Sequence, residues 1–396
     1  MAKIAPQAAR ATPPLLKHLN ERTVLEAIRA GAPISRAEIS RRAGISKPTV
    51  SLALQTLVNA GLVREAASGP SGPSYGAVFF EPIPEAAYVL GLDLGTRFLR
   101  GAVCDLAGEV RARQDVELRG ADADRALQVI AALRRSLVAA AALPAERIDG
   151  IVLGVPGVID AATSTLRLTT PNIPGLEGRA FGRELAELGI DVTLENDVNL
   201  AAVGEHWAGV ARGVDDFAFL SVGTGMGMGL VLGGELHRGN HGAAGEVDWA
   251  LAGLAEDVDP SADGVAALAE RVAPAGSAGT ALAPPYDPRA IFAAARRGDP
   301  LGRKVVEEVA RRIAAHIAPI AAVADPALIV LGGGLGTNGD LLLTPVRRLL
   351  AAWVPYPPRV EISSLGEAAV LTGALAVGLR SALDNVFVNR SRSLRA

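Results

Sequence analysis

The sequence turns on one short stretch, Leu194-Glu195-Asn196-Asp197-Val198-Asn199. It follows an alternating run over 190–193, which predicts a strand, and it precedes a run over 200–207, which predicts a helix. In open α/β sheets, ligands bind at the edge where strands end and helices begin. A carboxylate at Asp197 can accept a proton from a hydroxyl there, and the amide of Asn196 can hold that hydroxyl in place. Asn and Asp are also common helix caps, so the pair has a purely structural interpretation as well.

Composition sets the class of protein. The chain has 396 residues, of which 49% are hydrophobic and 20% charged, which is enough for two or three domains with large cores. No apolar run reaches the ~20 residues of a bilayer span, and the N-terminus lacks the apolar core of a secretory signal. We therefore expect a cytoplasmic protein without a membrane partner. Cys104 is the single cysteine, which excludes an intrachain disulfide and a cysteine-rich zinc site.

Charge is distributed unevenly along the chain. Residues 1–66 hold ten Lys or Arg against four acidic residues, whereas the whole chain holds 39 against 42 and has a net charge of −3. A basic end attached to an acidic body indicates one module for a polyanion and another for a different ligand.

The basic end has the pattern of a helix-turn-helix. A first helix is predicted over 21–30, with Asn20 as its cap. A second begins at Ser35, which has capping-box spacing with Glu38, and ends at Gly44. A third begins after Ser46 and continues to residue 60. Two helices joined by a Gly-containing turn, the second opening with small polar residues, are typical of DNA-binding modules.

A wing follows the three helices. Strands are predicted over 62–65 and 77–80, joined by a Gly/Pro/Ser-rich tip over 68–76, and a short stiff linker follows over 81–85. The alternative is a small three-helix bundle with a solvated basic face. We expect the polar side chains outside the buried stripe of Val50, Leu54, Leu57 and Val58 to reach phosphates and base edges. These DNA-binding candidates are Arg36, Ser46, Lys47, Thr49, Ser51 and Gln55.

The acidic body repeats one pattern of strands and glycine turns. A strand over 88–95 turns into a second over 98–103, and a strand over 217–223 turns through 224–229 into another over 230–234. We interpret this as an internal duplication at the level of the fold, with two hairpins facing one cleft. Glycine turns expose backbone N–H groups that can cradle phosphate, although glycine can also serve only to turn a hairpin.

Seven motifs in order resemble the ROK family, and specifically its branch of transcription factors with an N-terminal winged helix. The segments that carry the resemblance are Ser46–Ser51, Gly91–Gly95, Gly154–Gly157, Glu195–Asn199, Gly223–Gly227, Gly242–Glu246 and Gly332–Gly334. The resemblance implies an α/β protein with an actin-like, ribonuclease-H-like body of the ATPase type. It also implies two lobes, a sugar site in the cleft between them, and a homodimer or homotetramer.

Domain boundaries follow from these patterns. We expect a winged helix-turn-helix domain over 1–81, a ROK domain over 86–382 and a C-terminal tail over 383–396. The first lobe is expected over about 86–200 and the second over about 201–382.

The first glycine turn departs from that of the family's kinases. In those enzymes the resemblance implies an Asp-x-Gly-Gly-Thr turn that approaches the nucleotide phosphates. Here Asp93 and Gly95 remain, but Thr96 and Arg97 replace the last two residues. A Cβ at a close backbone approach is a steric problem. We expect Arg97 to plug the pocket or to form an ion pair.

Two further features weigh on the kinase chemistry. The second turn, Gly223-Thr224-Gly225, is the remaining candidate for phosphate contact, and we treat both turns as degenerate. In family kinases a His and a cysteine-rich zinc motif follow the Gly-x-x-Gly-Glu motif. In this chain Trp249 takes the His position, and residues 250–285 contain no Cys or His. We therefore expect no zinc and no other cofactor.

The remaining sugar-site candidates offer amides, carboxylates and one aromatic ring. They are Gly157, Asn172, Asn196, Asp197, Glu246 and Trp249. Trp249 could stack on the apolar face of a pyranose, or it could fill the space that the His and zinc leave. The resemblance makes Asp197 the counterpart of the kinase base, here without a reaction to catalyse.

Three functions fit these observations. The first is a regulator, acting as a repressor of sugar metabolism genes, that binds a double-stranded DNA operator with two-fold-related half-sites. A carbohydrate or sugar phosphate in the cleft would be its effector. The second is a sugar kinase that also binds DNA. The third is a DNA-binding protein whose cleft is a vestigial scaffold.

Overall fold

The computed structural model describes residues 13–67, 69, 77–160, 163–169, 173–251, 258–273 and 279–393. It consists of an N-terminal module of three helices and three short strands, followed by two lobes that each contain a five-stranded sheet. The elements of the N-terminal module are α1 (Pro13–Arg29), β1 (Ile34–Ser35), α2 (Arg36–Ala43), α3 (Lys47–Asn59), β2 (Val63–Glu65) and β3 (Phe79–Pro82).

Local capping signals place the two helices of the helix-turn-helix as predicted. The Ser35 hydroxyl accepts the backbone N–H of Glu38 at 3.3 Å, and the Ser46 hydroxyl accepts that of Thr49 at 3.4 Å. Gly44 ends α2 in the left-handed conformation with φ of 64°, which favours glycine. The prediction of Asn20 as a cap was wrong, because α1 runs through this residue as one continuous helix.

The wing and the buried face of α3 complete the module. Val50, Leu54 and Leu57 are buried as predicted, but Val58 is 40% exposed and Ala53 takes the inward position. β3 pairs antiparallel with both β2 and β1, so the sheet has three strands. Most of the predicted wing tip, namely 68 and 70–76, lies outside the described residues.

The first lobe is built on a sheet in which three strands run parallel at its centre and edge. Its strand order is β10-β7-β4-β5-β6, with β4 parallel to β7 and antiparallel to β5. Its elements are β4 (Tyr88–Leu94), β5 (Phe98–Asp105), β6 (Val110–Glu117), α4 (Ala123–Ala140), β7 (Ile148–Val155), β8 (Val158–Ile159), β9 (Leu166–Arg167), α5 (Phe181–Glu187) and β10 (Thr193–Asn196). Helix α6 (Asp197–Ala208) then leads to the second lobe.

The second lobe repeats this topology. Its order β13-β12-β11-β14-β15 matches the first lobe read from β6 to β10, with β11 antiparallel to β12 and parallel to β14. The predicted duplication of the fold is therefore confirmed. The elements are β11 (Phe217–Val222), β12 (Met226–Leu232), β13 (Glu235–Leu236), α7 (Ala262–Val272), α8 (Pro288–Arg296), α9 (Pro300–Ala324), β14 (Leu328–Gly332), α10 (Gly333–Gly336), α11 (Gly339–Trp353), β15 (Arg359–Ile362) and α12 (Ala369–Ser393).

Helix α12 returns to the first lobe. It packs against β4 and β7 of the first sheet and along α6. The last helix thus lies with the first sheet, which corrects the expectation that residues up to 382 belong to the second lobe. Its backbone continues to Ser393, into the expected C-terminal tail. Helices α6 and α12 cross at two glycines. A side chain on Gly204 would collide with the carbonyl oxygen of Ala369, and one on Gly373 with that of Leu200.

The N-terminal module shares a hydrophobic core with the first lobe. Buried side chains of α1, α2 and α3 form one cluster with Val89 and Cys104 of the first sheet and with Leu371, Leu375 and Leu379 of α12. Between module and lobe, in the region of the predicted short stiff linker, Pro84–Ala86 forms a 3₁₀ turn. None of the helices in the described part of the chain combines the length and apolarity needed to cross a bilayer.

Candidate functional site

Asn196 is the N-cap of α6. Its side-chain carbonyl accepts the backbone N–H of Asn199 at 2.9 Å, and its amide donates to the backbone carbonyl of Gly157 at 3.0 Å. Gly157 has φ of 119°, and a Cβ there would lie 2.7 Å from the carbonyl oxygen of Arg167. The capping interpretation of Asn196 is therefore correct. The cap also fixes the loop after β7 against the end of β10.

Asp197 lies one residue further on and faces other carboxylates. One of its oxygens accepts the N–H of Val198 at 2.8 Å. Burial, together with the charges of Asp93 and Glu246, raises the pKa of Asp197 to about 7. The structure thus brings together three acidic residues predicted for the site, from β4, from α6 and from the segment after β13. At neutral pH this carboxyl is close to half protonated, so it can donate or accept a hydrogen bond.

Asp93 is paired with an arginine that the sequence analysis did not identify. Asp93 is 4% exposed, and burial raises its pKa to about 6 while Arg100 opposes that rise. Arg100 faces Asp93 across the β4–β5 hairpin, with its Nη1 3.4 Å from Asp93 Oδ2 and its Nη2 2.8 Å from Glu367. This guanidinium lies 3.6 Å from the Cβ position that would be built on Gly95. It therefore occupies the mouth of the first glycine turn.

Arg97 does not take the role predicted for it. It is exposed, and its guanidinium lies 5.2 Å from the centre of the Phe98 ring. It neither plugs the turn nor forms an ion pair with any described residue. Arg100 makes the ion pair that was expected of Arg97. The pairing register of the β4–β5 hairpin, which places Arg100 opposite Asp93, would have identified this residue.

A second ion pair that was not predicted, between Glu195 and Arg238, holds Asn196 in place. Glu195 is buried, and its Oε1 accepts the backbone N–H of Asn196 at 2.9 Å and the side-chain amide of Asn199 at 3.0 Å. Its Oε2 accepts Arg238 Nε at 2.7 Å. Arg238 lies after β13, and its backbone carbonyl accepts the N–H of Ala244 at 3.1 Å. The pair thus holds the segment that carries Glu246 against the start of α6.

Glu246 and Trp249 form the second-lobe side of the site. Gly245 has φ of 103° and passes so close to the carbonyl oxygen of Met228 that no side chain fits there. Glu246 is partly buried, and burial and the charge of Asp248 raise its pKa. Trp249 is 65% exposed, so it does not fill an interior space, and its ring is accessible for stacking. Asn172, the remaining candidate, lies outside the described residues.

The second glycine turn keeps a bare backbone. The Gly223 N–H donates to the carbonyl of Gly225 at 2.9 Å, and Thr224 between them is exposed. No atom lies within 4 Å of a Cβ built on Gly225 or on Gly334, at the start of α10. This turn and α10 therefore leave open space at Gly225 and Gly334, unlike the turn at Gly95.

No metal-binding geometry is found in the described residues. Among them, no group of three or more His, Cys, Asp or Glu side chains could hold an ion. Since 252–257 and 274–278 are outside the description, the absence of zinc stays a prediction.

The DNA-binding candidates divide into free and engaged side chains. Lys47 and Gln55 are exposed on α3, whereas the Ser51 hydroxyl donates to the Lys47 carbonyl at 2.9 Å and the Ser46 and Thr49 hydroxyls bond each other at 2.8 Å. Arg36 is exposed, with its guanidinium 5.9 Å from the centre of the Phe80 ring. The exposed face of α3 also presents Leu52, which is 69% exposed and was not predicted.

Comparison with known proteins agrees with this arrangement. The model of the ROK family matches residues 89–380, and that of the MarR family matches 18–72. A xylose repressor from Caldicellulosiruptor bescii is 26% identical over 390 residues, which cover 93% of this chain and 98% of that protein. A glucokinase from Streptomyces coelicolor is 28% identical and covers 72% of this chain and 95% of its own.

A solved structure extends the similarity to the whole fold. It is that of a ROK family transcriptional regulator described as a homologue of the E. coli MLC protein. The two structures superpose with a TM-score of 0.73 at 23% identity and cover 94% of this chain and 98% of the other. With a two-lobed body of duplicated topology behind a winged helix, and a family match over most of its length, this chain belongs to the ROK family.

Proposed function

We propose that this protein is a DNA-binding transcriptional regulator, a repressor of sugar metabolism genes, that responds to a carbohydrate bound in the cleft. One observation carries the proposal. Helix α6 begins at the acidic cleft with Asp197 and ends beside the DNA-binding module. There the guanidinium carbon of Arg29 on α1 lies 5.8 Å from the centre of the Trp207 ring. A ligand at one end of this helix is thus coupled by continuous packing to the module at the other end.

The cleft has the chemistry of a sugar site. Asp197 and Glu246 can accept hydrogen bonds from adjacent hydroxyls, and the accessible ring of Trp249 can stack on the apolar face of a pyranose. The backbone of Gly157 and the side chains of Asn172 and Asn196 complete the proposed set. Relatives named xylose repressor support this assignment and make xylose the first sugar to test.

The DNA-binding module supplies the output. We assign Lys47 to phosphate contact and Gln55 to base edges, with Arg36, Ser46, Thr49 and Ser51 around them. A homodimer or homotetramer in the cytoplasm would present two recognition helices to two-fold-related half-sites in double-stranded DNA. A ligand that binds two arrangements of the helices with different affinity is sufficient to change operator binding.

A thermal-shift screen tests the sugar site. Monosaccharides, disaccharides and their phosphates are added at millimolar concentration, and each hit is repeated with an operator fragment selected from random DNA. We expect a hit to raise the melting temperature and to change operator affinity. Glu246→Ala should abolish it, while Glu307→Ala on the surface of α9 should not. If no sugar changes either quantity while DNA is still bound, the cleft is vestigial.

A kinase activity is the second candidate, and one observation favours it. An aspartate with its pKa raised to about 7 suits a general base, and the relatives include glucokinases. Against it, Asp93 is neutralised by Arg100 at the first turn, so we propose that the protein is not an enzyme. ATP-dependent phosphorylation of a sugar, lost in Asp197→Asn, would reverse this assignment.

A further inference from the structure

A second cavity lies away from the cleft, where the DNA-binding module meets the body. Its volume is about 230 Å³, and its walls come from α1, α6, the turn between β12 and β13, and α12. Three arginines line it from three separate parts of the chain: Arg22 on α1, Arg238 after β13 and Arg380 on α12. His206 of α6 also lines the cavity, where burial and the charge of Arg380 lower the pKa of its imidazole.

The basic side chains are incompletely neutralised. Glu235 is the one carboxylate among the described residues that line the cavity. Arg22 pairs with Glu26 at 3.4 Å, and Arg238 with Glu195 at 2.7 Å. Arg380 makes neither a hydrogen bond nor an ion pair with any part of the chain that the structure describes. The unpaired guanidinium of Arg380 therefore has N–H donors that a bound anion can engage.

Size and geometry select the kind of anion. The volume is below the ~300–1,000 Å³ of drug-sized ligand pockets, so the ligand is small. Planar guanidinium groups bind phosphate oxygens through paired N–H donors. We propose that this junction cavity binds the phosphate group of a small phosphorylated metabolite.

A phosphate bound in this cavity would contact residues connected to both the DNA-binding module and the cleft. Arg22 belongs to the DNA-binding module and Arg380 to the helix that packs under it, so one anion would bridge module and body. Arg238 also bonds Glu195, which holds the backbone of Asn196. The cavity and the cleft are therefore linked through one guanidinium. Any effect of the phosphate on sugar affinity must be matched by an equal effect of sugar on phosphate affinity.

Calorimetric titration of the full chain at low salt tests the site. The probes are inorganic phosphate, ribose 5-phosphate and, as the match without phosphate, ribose. All titrations use the Glu246→Ala background, so that a ligand seated in the cleft is not mistaken for one in the junction cavity. We expect both phosphate-bearing probes to bind and ribose not to bind. Adding Arg380→Gln should weaken binding at least about tenfold, because a charge-assisted contact is lost.

Matched variants separate this result from loss of the fold. Arg119→Gln removes the same charge from an exposed site on the first lobe and should leave phosphate affinity unchanged. If Arg380→Gln does not fold, Arg22→Gln on α1 decides, since its side chain is partly exposed. Failure of both phosphate probes to bind, or binding that survives both substitutions, would overturn the proposal. Neither outcome bears on the sugar cleft, which the thermal-shift screen tests separately.

Discussion

The first and second lobes have one strand order but different hairpin turns at the cleft. In the first lobe, Asp93 is paired with Arg100 and the turn leads into Arg97, stacked on Phe98. In the second lobe, a Cβ built on Gly225 or Gly334 would meet open space, and one on Gly223 would lie 3.6 Å from the backbone N of Gly334. The same fold thus carries an occupied turn on one side and a vacant one on the other.

The two lobes have diverged at these hairpin turns. The second lobe still has a backbone that can approach a phosphate closely, whereas in the first an ion pair occupies that position. The first lobe has instead gained the shared core with the DNA-binding module. Topology has been kept in both lobes, but the two turns differ in chemistry, which suits ligand recognition better than the binding of a nucleotide's phosphates by two matched turns.

The largest effect is expected at Gly333, the first residue of α10, whose backbone packs against Val222 just before the second turn. Gly333 has φ of 76°, and a Cβ there would collide with the carbonyl oxygen of Val222. Gly333→Ala should cost at least about 3 kcal/mol of unfolding free energy in urea titration. Gly334→Ala is the control, since nothing lies within 4 Å of its Cβ position. If Gly333→Ala loses no more unfolding free energy than Gly334→Ala, the close approach to Val222 does not exclude a side chain at Gly333.

The ion pair of the first turn should have the next largest effect. Arg100→Met leaves Asp93 buried without its cation and should cost about 2–3 kcal/mol. The loss should grow as pH rises, because a carboxyl whose folded pKa lies above its unfolded value of about 3.9 favours the folded state only while it is protonated. Urea unfolding at several pH values measures this. The double variant Asp93→Asn with Arg100→Met should recover most of the loss; if it does not, Arg100 stabilises the turn by other contacts.

Asp197 tests the electrostatic contact between the lobes. Its pKa of about 7 in the folded state exceeds the unfolded value of about 3.9, so its contribution favours folding at low pH and is lost as pH rises through 7. Asp197→Asn should therefore gain roughly 1 kcal/mol relative to the unmodified protein between about pH 5 and pH 8, allowing for solvent screening. Asp325→Asn, at an exposed carboxylate, should show no such trend. A flat difference for Asp197→Asn would mean that its carboxylate is already ionised.

The smallest effect on stability is expected at the contact between the first lobe and the DNA-binding module. Burial lowers the pKa of Arg29, and its Nε has no hydrogen-bond partner among the described residues. Arg29→Met should change the unfolding free energy by less than about 1 kcal/mol, because the lost contact with Trp207 is offset by replacing a half-buried charge with an apolar chain of similar length. The effect of sugar on operator affinity should nevertheless shrink, measured by fluorescence anisotropy. Arg135→Met, at an exposed position of α4, should preserve the effect of sugar on operator affinity.

Local signals made much of the fold predictable. The ends of α2 and the start of α3 are set by local cap residues, namely Ser35, Gly44 and Ser46. Glycine turns indicate both hairpins. The prediction of Asn20 as a cap was wrong because tertiary contacts extend α1 through this residue, although Asn favours a cap position. The return of α12 to the first sheet has no local signal at all, since it depends on which apolar face is left uncovered after both sheets form.

The site was predictable to the same extent. Asn196 and Asp197 were found because strand and helix meet there. Arg100 needed the register of one hairpin, which the sequence contains. Arg238 joins Glu195 across 43 positions through a loop whose path depends on Gly242 and Gly245, so no spacing reveals it.

The crossing of α6 and α12 acts as a fulcrum. Because the two backbones touch at Gly204 and Gly373, we expect rotation about that point to be easier than sliding of one helix along the other. Gly373 lies four residues after the start of α12, which has 25 residues, so the two arms are about 6 Å and about 30 Å long. A rotation that moves the near end of α12 by a given distance moves its far end about five times as far.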